Sequence, residues 1–569
     1  MPDPLPPPLP HRSLKSNFIS LGQALTTARR RMFVIAGVFG LCFLAVVLRL
    51  GDVALLQEGS ELCLAARDRA RDFQLGRGDL LDRHGQILAT SILTSSLYAT
   101  PKMVLDNQET VKKLRQVLPD INAARLLKRL KSAKGFVWLE RHLTPRQQAD
   151  VLRLGVPGVS FMPDQRRVYP LGALTSHVVG MVDIDDQGIS GLEKGLNSRL
   201  QDNKGAVHTT LDLRLQHILH DEIQKGMQEF SARGGSAMVM DIRTGAVLAM
   251  VSLPDFDPNR RAPRNRQALF NCNTSGVYEM GSTMKVLTIA MALDSGRVTI
   301  DSKFDASKPI KIGRFTVTDY RGKNRVMDVA EIFMYSSNIG TAKLALKMGE
   351  QAHVGFLKKS GLFTQPAFEI PEVGAPIVPK KWPEIRRITV SYGYGLAVSP
   401  LQIICAISGV LRDDGAVPQP TLLLEKVGTQ PVFPLVSPHT AKHMRALMRR
   451  MVEEGTGRKA KVPGIVVYGK SGTANARRAR GRGYQKKDVN TAFVGVFPEV
   501  PRYAVYVRLD NPKGSKATFN FNAAGWNAAP VTGRIIQRIV TILGLEPDHV
   551  EQEKEGPLVK RWLAKQRLS

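Results

Sequence analysis

The stretch Ser282-Thr-Met-Lys-Val-Leu-Thr-Ile-Ala-Met-Ala-Leu293 places a lysine three residues after a serine, at the start of a helical pattern. Side chains three residues apart on one helix lie on the same face, so Ser282 and Lys285 can touch. A serine hydroxyl is a good nucleophile only when a base removes its proton, and a desolvated lysine can be that base. A serine at a helix start is more often a simple cap, so this string needs support from elsewhere in the chain.

Two further polar strings supply that support. Ser336-Ser-Asn338 precedes another helical pattern, and Lys470-Ser-Gly-Thr473 follows an apolar strand pattern that it is predicted to end. Taken alone, Ser336-Ser-Asn338 is explained as well by a helix cap or a turn as by a functional role. Beside an acylating serine, we expect Ser336 to relay a proton and Asn338 to bind a substrate amide. The three strings in this order predict acyl transfer onto and off Ser282.

The third string offers charge and hydrogen-bond donors. Lys470 can be the second cation that keeps the first lysine neutral, and it can also pair with a substrate carboxylate. Glycine at 472 lets the backbone approach a ligand closely. The backbone N–H groups of Ser282 and Thr473 are expected to form an oxyanion hole. The predicted substrate-binding residues are Asn338, Ser471, Gly472 and Thr473.

The chain has 569 residues and a net charge of +30, from 80 Lys and Arg against 50 Asp and Glu. This length predicts about three or four folding units. Such a charge would normally suggest nucleic acid as a partner, but the apolar segment described next argues against it. A basic exported domain would be attracted to anionic lipids and acidic wall polymers, although solvated Lys and Arg faces explain the charge more simply.

An uncharged apolar run at residues 32–48 is long enough to cross a bilayer as a helix. Arg29-Arg-Arg31 precedes it, which predicts a cytoplasmic N-terminus and export of the chain beyond about residue 50. A cleaved signal peptide is the alternative, but no small-residue cleavage site follows the run and a long tail precedes it. We therefore expect a single-pass anchor.

Cysteine and histidine indicate no metal chemistry. The cysteines Cys42, Cys63, Cys272 and Cys405 are widely scattered and show neither a disulfide framework nor metal-ligand spacing. The 11 histidines form no HExxH motif and no Cys/His cluster. We predict no metal site and no cofactor.

Residue patterns outline the remaining organisation. A proline-rich start predicts a disordered tail, and amphipathic patterns near 111–130 and 144–154 predict helices in a mixed α/β module before residue 208. Later, Arg243-Thr-Gly245 lies between two apolar strings as a hairpin turn would. Further strands are predicted at 465–468, 491–497 and 503–509, and a last helix at 531–543. Because strands from both ends flank a mostly helical region, 282–450, we predict one antiparallel sheet covered by helices.

The order S-x-x-K, S-x-N, K-[ST]-G resembles that of the penicilloyl-serine transferases, and the flanking strings resemble class B penicillin-binding proteins in particular. Strings similar to the pedestal of that class are Arg77-Gly-Asp79, Asp82-Arg83, Arg167-Val-Tyr-Pro170, His177-Val-Val-Gly180 and Gly191-Leu-Glu-Lys194. Strings similar to its transpeptidase domain are Asp241-Ile-Arg-Thr-Gly245, Asp255-Phe-Asp-Pro-Asn259, Tyr392-Gly-Tyr-Gly395 and Pro400-Leu-Gln402. The resemblance runs from the anchor to about residue 545.

The resemblance implies an α+β penicillin-binding/transpeptidase fold. This fold has an antiparallel five-stranded sheet covered by helices, a helical subdomain, an elongated mixed α/β pedestal and one transmembrane helix. The implied domains are a disordered cytoplasmic tail at 1–31, a transmembrane anchor at 32–50, a dimerisation-type pedestal at 51–207, a transpeptidase domain at 208–545 and a charged C-terminal tail at 546–569.

The S-S-N form, the ending Ala529-Pro-Val and the lack of extra C-terminal modules are most similar to the division-specific members. They imply a septal peptidoglycan D,D-transpeptidase of the bacterial inner membrane, with an extracytoplasmic catalytic domain. Its nucleophile would be Ser282, its base Lys285, and β-lactams would inhibit it. Implied partners are stem peptides and lipid-linked precursor, the membrane, a membrane glycosyltransferase and other division proteins, but no nucleic acid.

Three alternatives stay open. The transpeptidase of cell elongation shares this chemistry, and a membrane scaffold of the wall-synthesis machinery would use catalysis only secondarily. A β-lactamase would also share it, although the anchor and pedestal would be superfluous there. Departures from the family are Met280, where Pro is frequent, and Ser471, which replaces Thr and keeps its hydroxyl. The basic string Arg477-Arg-Ala-Arg-Gly-Arg482 is interpreted as a solvated loop, with binding of an anionic substrate or partner as the alternative.

Overall fold

The computed structural model describes residues 15–51, 76–202, 205–260, 265–313, 315–429, 431–477 and 484–548. The proline-rich start, most of the basic string at 477–482 and the tail from residue 549 lie outside the described residues. The chain divides into two compact units, Met1–Leu75 and Gly76–Ser569.

The first unit contains a long helix, Lys15–Gly51. Its segment Arg29–Arg49 has a mean hydropathy of 2.4 and is long and apolar enough to cross a membrane. The predicted anchor lies within this helix. Residues 15–31, assigned from sequence to a disordered tail, are helical, because the prolines end at Pro10 and only Gly22 interrupts the helix-forming residues that follow.

The second unit begins with a five-stranded sheet, here called the pedestal sheet. Its longest strand, Ile87–Ala99, pairs antiparallel with Val137–Leu143 and with Val159–Val168. The short strand Leu80–Leu81 connects Ile87–Ala99 to Val207–His208. The small hairpin beside this sheet has the strands Met181–Val182 and Gly188–Ser190. The helices of this region are Asn107–Val117, Ala123–Leu130, Pro145–Arg153, Ser176–Val179, Gly191–Gly195 and Asn197–Gln201. The mixed α/β module and its amphipathic helices are therefore present.

A buried ionic cluster joins three of the pedestal strings. Arg77 and Arg167 both donate to the carboxylate of Glu193, with Arg167 Nε 2.7 Å from Glu193 Oε1. Arg167 also donates to the carbonyl oxygens of Arg77 and Gly78, at 3.0 and 2.9 Å. Since a buried carboxylate is costly unless it is paired and hydrogen-bonded, this cluster fixes how the three segments meet.

The third motif lies in the edge strand of a second sheet, here called the main sheet. Its strands are Tyr468–Arg477, Tyr484–Phe497, Tyr503–Asp510, Gly234–Asp241 and Val247–Leu253, in that spatial order. All neighbouring pairs are antiparallel, so the predicted five-stranded antiparallel sheet with strands from both ends is confirmed.

The edge strand Tyr468–Arg477, here called the motif strand, corrects one sequence prediction. The strand was expected over 465–468 and was expected to end at Lys470-Ser-Gly-Thr473, but it begins at Tyr468 and continues through those residues. The apolar pattern is a poor guide here, because backbone pairing with Tyr484–Phe497 carries the strand through polar side chains.

Helices cover both faces of the main sheet. The helices Leu213–Glu229 and Ala528–Leu543 pack on one face, over side chains such as Val239 and Val505. The opposite face, with Met238 and its neighbours, packs against the helical region. Alternate side chains of a strand point to opposite faces, so one sheet supports two apolar cores.

The helical region between the strands contains most of the remaining elements. Its helices are Lys285–Asp294, Val329–Met334, Asn338–Met348, Glu350–Lys359, Glu384–Ser391, Pro400–Leu411 and Pro438–Glu453. Its small strand pairs are Lys303–Asp305 with Val326–Asp328, Ile310–Ile312 with Phe315–Val317, Tyr278–Glu279 with Ala397–Val398, and Ala416–Val417 with Phe433–Pro434. The first helix begins beside the motif strand, and the three predicted strings meet there.

Candidate active site

Ser282 lies in a tight turn immediately before a buried helix. Gly281–Met284 forms a single 3-10 turn, and the helix Lys285–Asp294 follows it directly. Side chains at i and i+3 nearly eclipse in such a turn, which directs Ser282 and Lys285 to one side. Ser282 is half-buried, and its hydroxyl makes no hydrogen bond to any residue that the structure describes. It is placed as an accessible nucleophile would be.

Lys285 is fully buried, and its amine is held by the second motif. Lys285 Nζ donates to the Ser336 carbonyl, to Ser336 Oγ at 3.2 Å and to Asn338 Oδ1 at 2.8 Å. Asn338 Nδ2 donates to the carbonyl of Thr318 at 2.9 Å, so both ends of this amide hold protein groups. The amide nitrogen retains a second N–H for a ligand, and its substrate-binding role stays a prediction.

Lys470 approaches the same hydroxyl from the motif strand. Its Nζ lies 3.0 Å from Ser336 Oγ and 3.2 Å from the carbonyl of Ser471. The ring of Phe333 lies below it, with the amine 5.6 Å from the ring centroid. The structure therefore brings the two predicted lysines together on one serine hydroxyl.

Burial makes the neutral form of both amines accessible. Loss of solvent lowers the pKa of Lys285 well below its ordinary value, and the positive charge of Lys470 lowers it further, while Asp319 acts in the opposite direction. Loss of solvent lowers the pKa of Lys470 to about 7. A neutral amine next to a serine hydroxyl can accept a proton, and a charged one can stabilise an anion.

The second motif is held in a strained turn. Ser336 has a φ of 54°, in the left-handed region that non-glycine residues rarely adopt. Asp319 stabilises this turn, since it accepts from Ser337 Oγ at 2.7 Å and from the backbone N–H groups of Asn338 and Ile339. Sequence reasoning missed Asp319, because no motif or spacing connects it with Ser337.

Two glycines allow the motif strand to lie against the serine turn. A Cβ on Gly472 would stand 2.7 Å from the carbonyl oxygen of Met280, and one on Gly281 would stand 2.6 Å from that of Thr473. Gly281 also has a φ of 54°. The close approach at Gly472 is to the serine turn, and it brings the backbone of Thr473 next to that turn, whereas the predicted approach to a ligand stays a prediction.

The hydroxyls of the third motif point away from Lys470. Ser471 Oγ lies 3.0 Å from Thr456 Oγ1, and Thr473 Oγ1 accepts from the backbone N–H of Ala524 at 3.1 Å. This follows from the alternation of side chains along a strand. Both residues are half-buried, and their role toward a substrate carboxylate stays a prediction.

The loop Tyr392-Gly-Tyr-Gly395, to which sequence reasoning gave no role, connects the serine turn to the motif strand. Gly281 N–H donates to the carbonyl of Gly393 at 3.1 Å, and Gly395 N–H donates to Glu279 Oε1 at 2.7 Å. The Tyr394 hydroxyl accepts from the N–H of Asn475 at 3.3 Å. The loop thus fixes the position of the turn that carries the nucleophile.

Comparison with known families agrees with this geometry. Residues 235–537 match the family described as "Penicillin binding protein transpeptidase domain", and residues 74–228 match "Penicillin-binding Protein dimerisation domain". The chain belongs to the class B penicillin-binding proteins. The family resemblance and the predicted fold are thereby confirmed.

Relatives of this penicillin-binding protein cover nearly its whole length. The "Probable peptidoglycan D,D-transpeptidase FtsI" of Caulobacter vibrioides is 36% identical over 91% of this chain and 89% of its own. The "Peptidoglycan D,D-transpeptidase FtsI" of Escherichia coli is 30% identical over 90% of this chain and 92% of its own. The "Probable peptidoglycan D,D-transpeptidase PenA" of Neisseria gonorrhoeae is 31% identical over 83% of this chain and 85% of its own.

Two solved structures share the fold. A peptidoglycan synthetase from Bifidobacterium adolescentis matches with a TM-score of 0.65 and 22% identity, over 83% of this chain and 96% of the other. Penicillin Binding Protein 2X from Streptococcus thermophilus matches with a TM-score of 0.66 and 22% identity, over 82% and 79%.

Proposed function

We propose that this penicillin-binding protein is the peptidoglycan D,D-transpeptidase of the division septum, a serine acyl transferase that β-lactams inhibit. The FtsI proteins that it resembles over most of its length carry the name of that activity. One structural observation supports the proposal above all: two buried amines converge on the Ser336 hydroxyl beside the turn that carries Ser282.

The reaction begins when the Ser282 oxygen attacks the carbonyl carbon of the penultimate D-alanine, while neutral Lys285 accepts the hydroxyl proton. The backbone N–H groups of Ser282 and Thr473 stabilise the oxyanion. The tetrahedral intermediate then breaks its C–N bond and expels D-alanine, whose amine receives a proton through Ser336. An amine of a neighbouring stem peptide attacks the acyl-enzyme, forms the cross-link and returns Ser282 to its free state.

Lys470 has an electrostatic role in this scheme. When charged, it pairs with the terminal carboxylate of the donor peptide and disfavours a second positive charge on Lys285. We keep the predicted roles of Ser471 and Thr473 in binding that carboxylate, although their hydroxyls point away from Lys470 and would reach it from the other face of the strand. Asn338 binds a substrate amide with its remaining N–H. The observations that support these roles are the 3.0 Å distance from Lys470 Nζ to Ser336 Oγ, the hydrogen bond that holds Asn338 Nδ2, and the contact of the motif strand with the serine turn.

The membrane arrangement is also a proposal. The apolar helix crosses the bacterial inner membrane once, with the arginines at 29–31 in the cytoplasm and the catalytic domain outside it. A membrane glycosyltransferase supplies the glycan strands, and other division proteins bring both enzymes to the septum. A reporter that is active only outside the cytoplasm tests the orientation. Fused to the C-terminus it should be active, and activity of the same reporter fused to the N-terminus would contradict the proposed orientation.

We retain the domain boundary near residue 207, between the pedestal at 51–207 and the transpeptidase domain at 208–545. The supporting observation is the helix Leu213–Glu229, which packs on the main sheet and against Ala528–Leu543. We also retain the tail at 1–31, the anchor at 32–50 and the tail at 546–569 as the other divisions, with the helix from Lys15 as noted above.

Labelling with a fluorescent penicillin tests the proposed nucleophile. The full chain in detergent should acquire one covalent label that maps by mass spectrometry to the peptide containing Ser282. Ser282→Ala should lose it while keeping its thermal midpoint, because the half-buried hydroxyl makes no hydrogen bond to the described residues. Ser302→Ala is a control at another half-buried serine, whose hydroxyl accepts from the backbone N–H of Thr299, and it should label normally. Persistent labelling of Ser282→Ala would exclude this mechanism.

The septal role is tested separately by localisation. The protein should be found at midcell, and localisation to the side wall would contradict this role.

A further inference from the structure

Two surface segments, 318–321 and 519–526, contact each other and are each hydrogen-bonded to a residue of the second or third motif. The first segment contains Asp319, whose carboxylate faces inward and accepts from Ser337 and from the backbone of the next helix. The second is attached to the motif strand, through the hydrogen bond from Ala524 N–H to Thr473 Oγ1. Both segments carry exposed aromatic rings, with Tyr320 80% and Phe519 71% exposed.

Arg321 bridges the two segments without using its hydrogen-bond donors. Its guanidinium lies 4.6 Å from the ring centroid of Phe521 and 5.9 Å from that of Tyr320. The side chain is exposed, and it makes no hydrogen bond or ion pair with any residue that the structure describes. A guanidinium stacked on a ring keeps its N–H groups directed outward, where they can bind a carboxylate with two hydrogen bonds.

Lys459 stands on the same aromatic cluster. Its amine lies 4.7 Å from the ring centroid of Trp526, and Trp526 in turn stacks on Phe521 with centroids 5.6 Å apart. Within the described parts of the chain, Lys459 also has no ion pair or hydrogen bond from its amine. The closest acidic residues in sequence, Glu453 and Glu454, are paired with Arg449 and Arg450.

Among the described residues, neither cation pairs with a carboxylate, although ion pairs are common elsewhere on the surface. The segment 511–527 contains no Asp or Glu, and Asp319 is the acidic residue of 315–325. The Asp319 carboxylate already accepts three hydrogen bonds, from Ser337 Oγ and from the backbone N–H groups of Asn338 and Ile339. It therefore does not pair with Arg321. Two unneutralised cations on one aromatic cluster, close to the motif residues, attract an anionic ligand.

We propose that Arg321 and Lys459 form a second carboxylate-binding subsite, which selects peptides carrying a carboxylate upstream of the reacting D-alanine. This inference rests on the proposed function, in which the third motif binds the terminal carboxylate. Stem peptides linked through the γ-carboxyl of D-glutamate present a free α-carboxylate in the middle of the chain. The subsite binds that group, so an amidated stem is a poorer ligand.

Two synthetic pentapeptides test the subsite. They end in D-Ala-D-Ala and differ only at a γ-linked second residue, which is D-glutamate in one and its α-carboxamide in the other. Each is used to slow acylation of the full chain by a fluorescent penicillin. The acidic peptide should act at a concentration about fivefold lower, equivalent to about 1 kcal/mol, as expected for a partly exposed ion pair. This ratio should fall as salt is added.

Arg321→Gln should reduce the ratio to about one, and Lys459→Gln should reduce it in part. The ratio compares two peptides on one variant, so a general change in labelling rate cancels. Arg297→Gln is the matched control, because Arg297 is exposed, has no ion pair among the described residues and follows the far end of the helix Lys285–Asp294. Arg321→Lys keeps the charge without the planar fork and should give an intermediate ratio, which covers the case that the glutamine variant does not fold.

Equal potency of the two peptides on the wild type, or no competition by either, would overturn the subsite. So would an unchanged ratio in both Arg321→Gln and Lys459→Gln. Failure of the proposed function has a different signature, namely labelling that does not depend on Ser282. The two outcomes are therefore distinguishable in the same assay.

Discussion

The Ser336 hydroxyl contacts two amines, and charging both of them would have a large free-energy cost. Lys285 and Lys470 are each fully buried, and each amine lies within hydrogen-bonding distance of Ser336 Oγ. Repulsion between two buried cations favours one charged and one neutral lysine. In the proposed mechanism, this division of charge supplies a base for Ser282 and a cation for the substrate carboxylate.

Replacing Lys470 should change how stability depends on pH. The unfolded lysine titrates near 10.5 and the folded one at about 7, so between these values only the unfolded state binds the proton. The free energy of unfolding should therefore rise with pH across this window, by up to about 1.4 kcal/mol per unit. Below pH 7 both states bind the proton, so Lys470 no longer makes the free energy of unfolding depend on pH.

The measurement is urea unfolding at pH 7.5 and 9.5, monitored by tryptophan fluorescence, for the wild type and Lys470→Met. Methionine keeps the packing volume but does not titrate, so the variant should show a smaller increase in unfolding free energy between the two pH values. Lys303→Met is a control at an exposed lysine and should behave as the wild type does. Equal increases in the wild type and Lys470→Met would show that Lys470 is charged in the folded state throughout.

At the scale of elements, the contact between the motif strand and the serine turn sets the positions of Lys470 and Thr473 relative to Ser282. Gly472→Ala would place a methyl group 2.7 Å from the Met280 carbonyl and 2.8 Å from Thr283 Cγ2. The strand must then shift by a few tenths of an ångström or more, which displaces Lys470 and Thr473 relative to Ser282. Because acyl transfer depends steeply on alignment, penicillin acylation should slow about 10- to 100-fold.

Stopped-flow labelling gives this rate, and thermal unfolding gives the stability of the same variant. Gly355→Ala is the matched control, since that glycine lies in the helix Glu350–Lys359 with nothing within 4 Å of its added Cβ. It should leave the acylation rate unchanged and raise the unfolding free energy by about 0.5–1 kcal/mol. Normal acylation by Gly472→Ala would mean that the contact does not control alignment.

The elements also show what the residue patterns could predict. The hairpin about Arg243-Thr-Gly245 and the main-sheet strands were predictable, because apolar periodicity reports burial. The bounds of the motif strand were not, since backbone pairing carries the strand through a polar half that has no apolar periodicity. Neither Asp319 nor the role of the loop at 392–395 could be predicted, because their contacts with the motifs depend on tertiary placement of distant segments.

At the scale of the whole molecule, the catalytic contacts all lie in the unit that begins at Gly76. A chain of residues 76–569 should therefore fold without the anchor and be acylated at the rate of the full chain, within about twofold. The rate of fluorescent penicillin labelling in the same detergent checks this. A Ser282→Ala version of the shorter chain measures nonspecific labelling.

A much slower rate for the shorter chain would indicate that the first unit contributes to the site. The buried cluster of Arg77, Arg167 and Glu193 provides a contrast within the second unit. Its sequence strings were recognisable only through the family resemblance, because a single sequence does not show that two distant arginines share one carboxylate. The order of the three catalytic strings, in comparison, carried a chemical meaning that was readable without any relative.

The outer side of the motif strand has one more consequence. Within the described residues, no strand of the main sheet pairs with that side. A peptide lying along it would be recognised by main-chain amides, which read chain direction and spacing but not side-chain identity. Any compound that reproduces one amide and one acid group at that spacing is a mimic, whatever substituents it carries. If β-lactams bind along this strand, as the proposed function implies, broad tolerance toward their side chains follows from the strand itself.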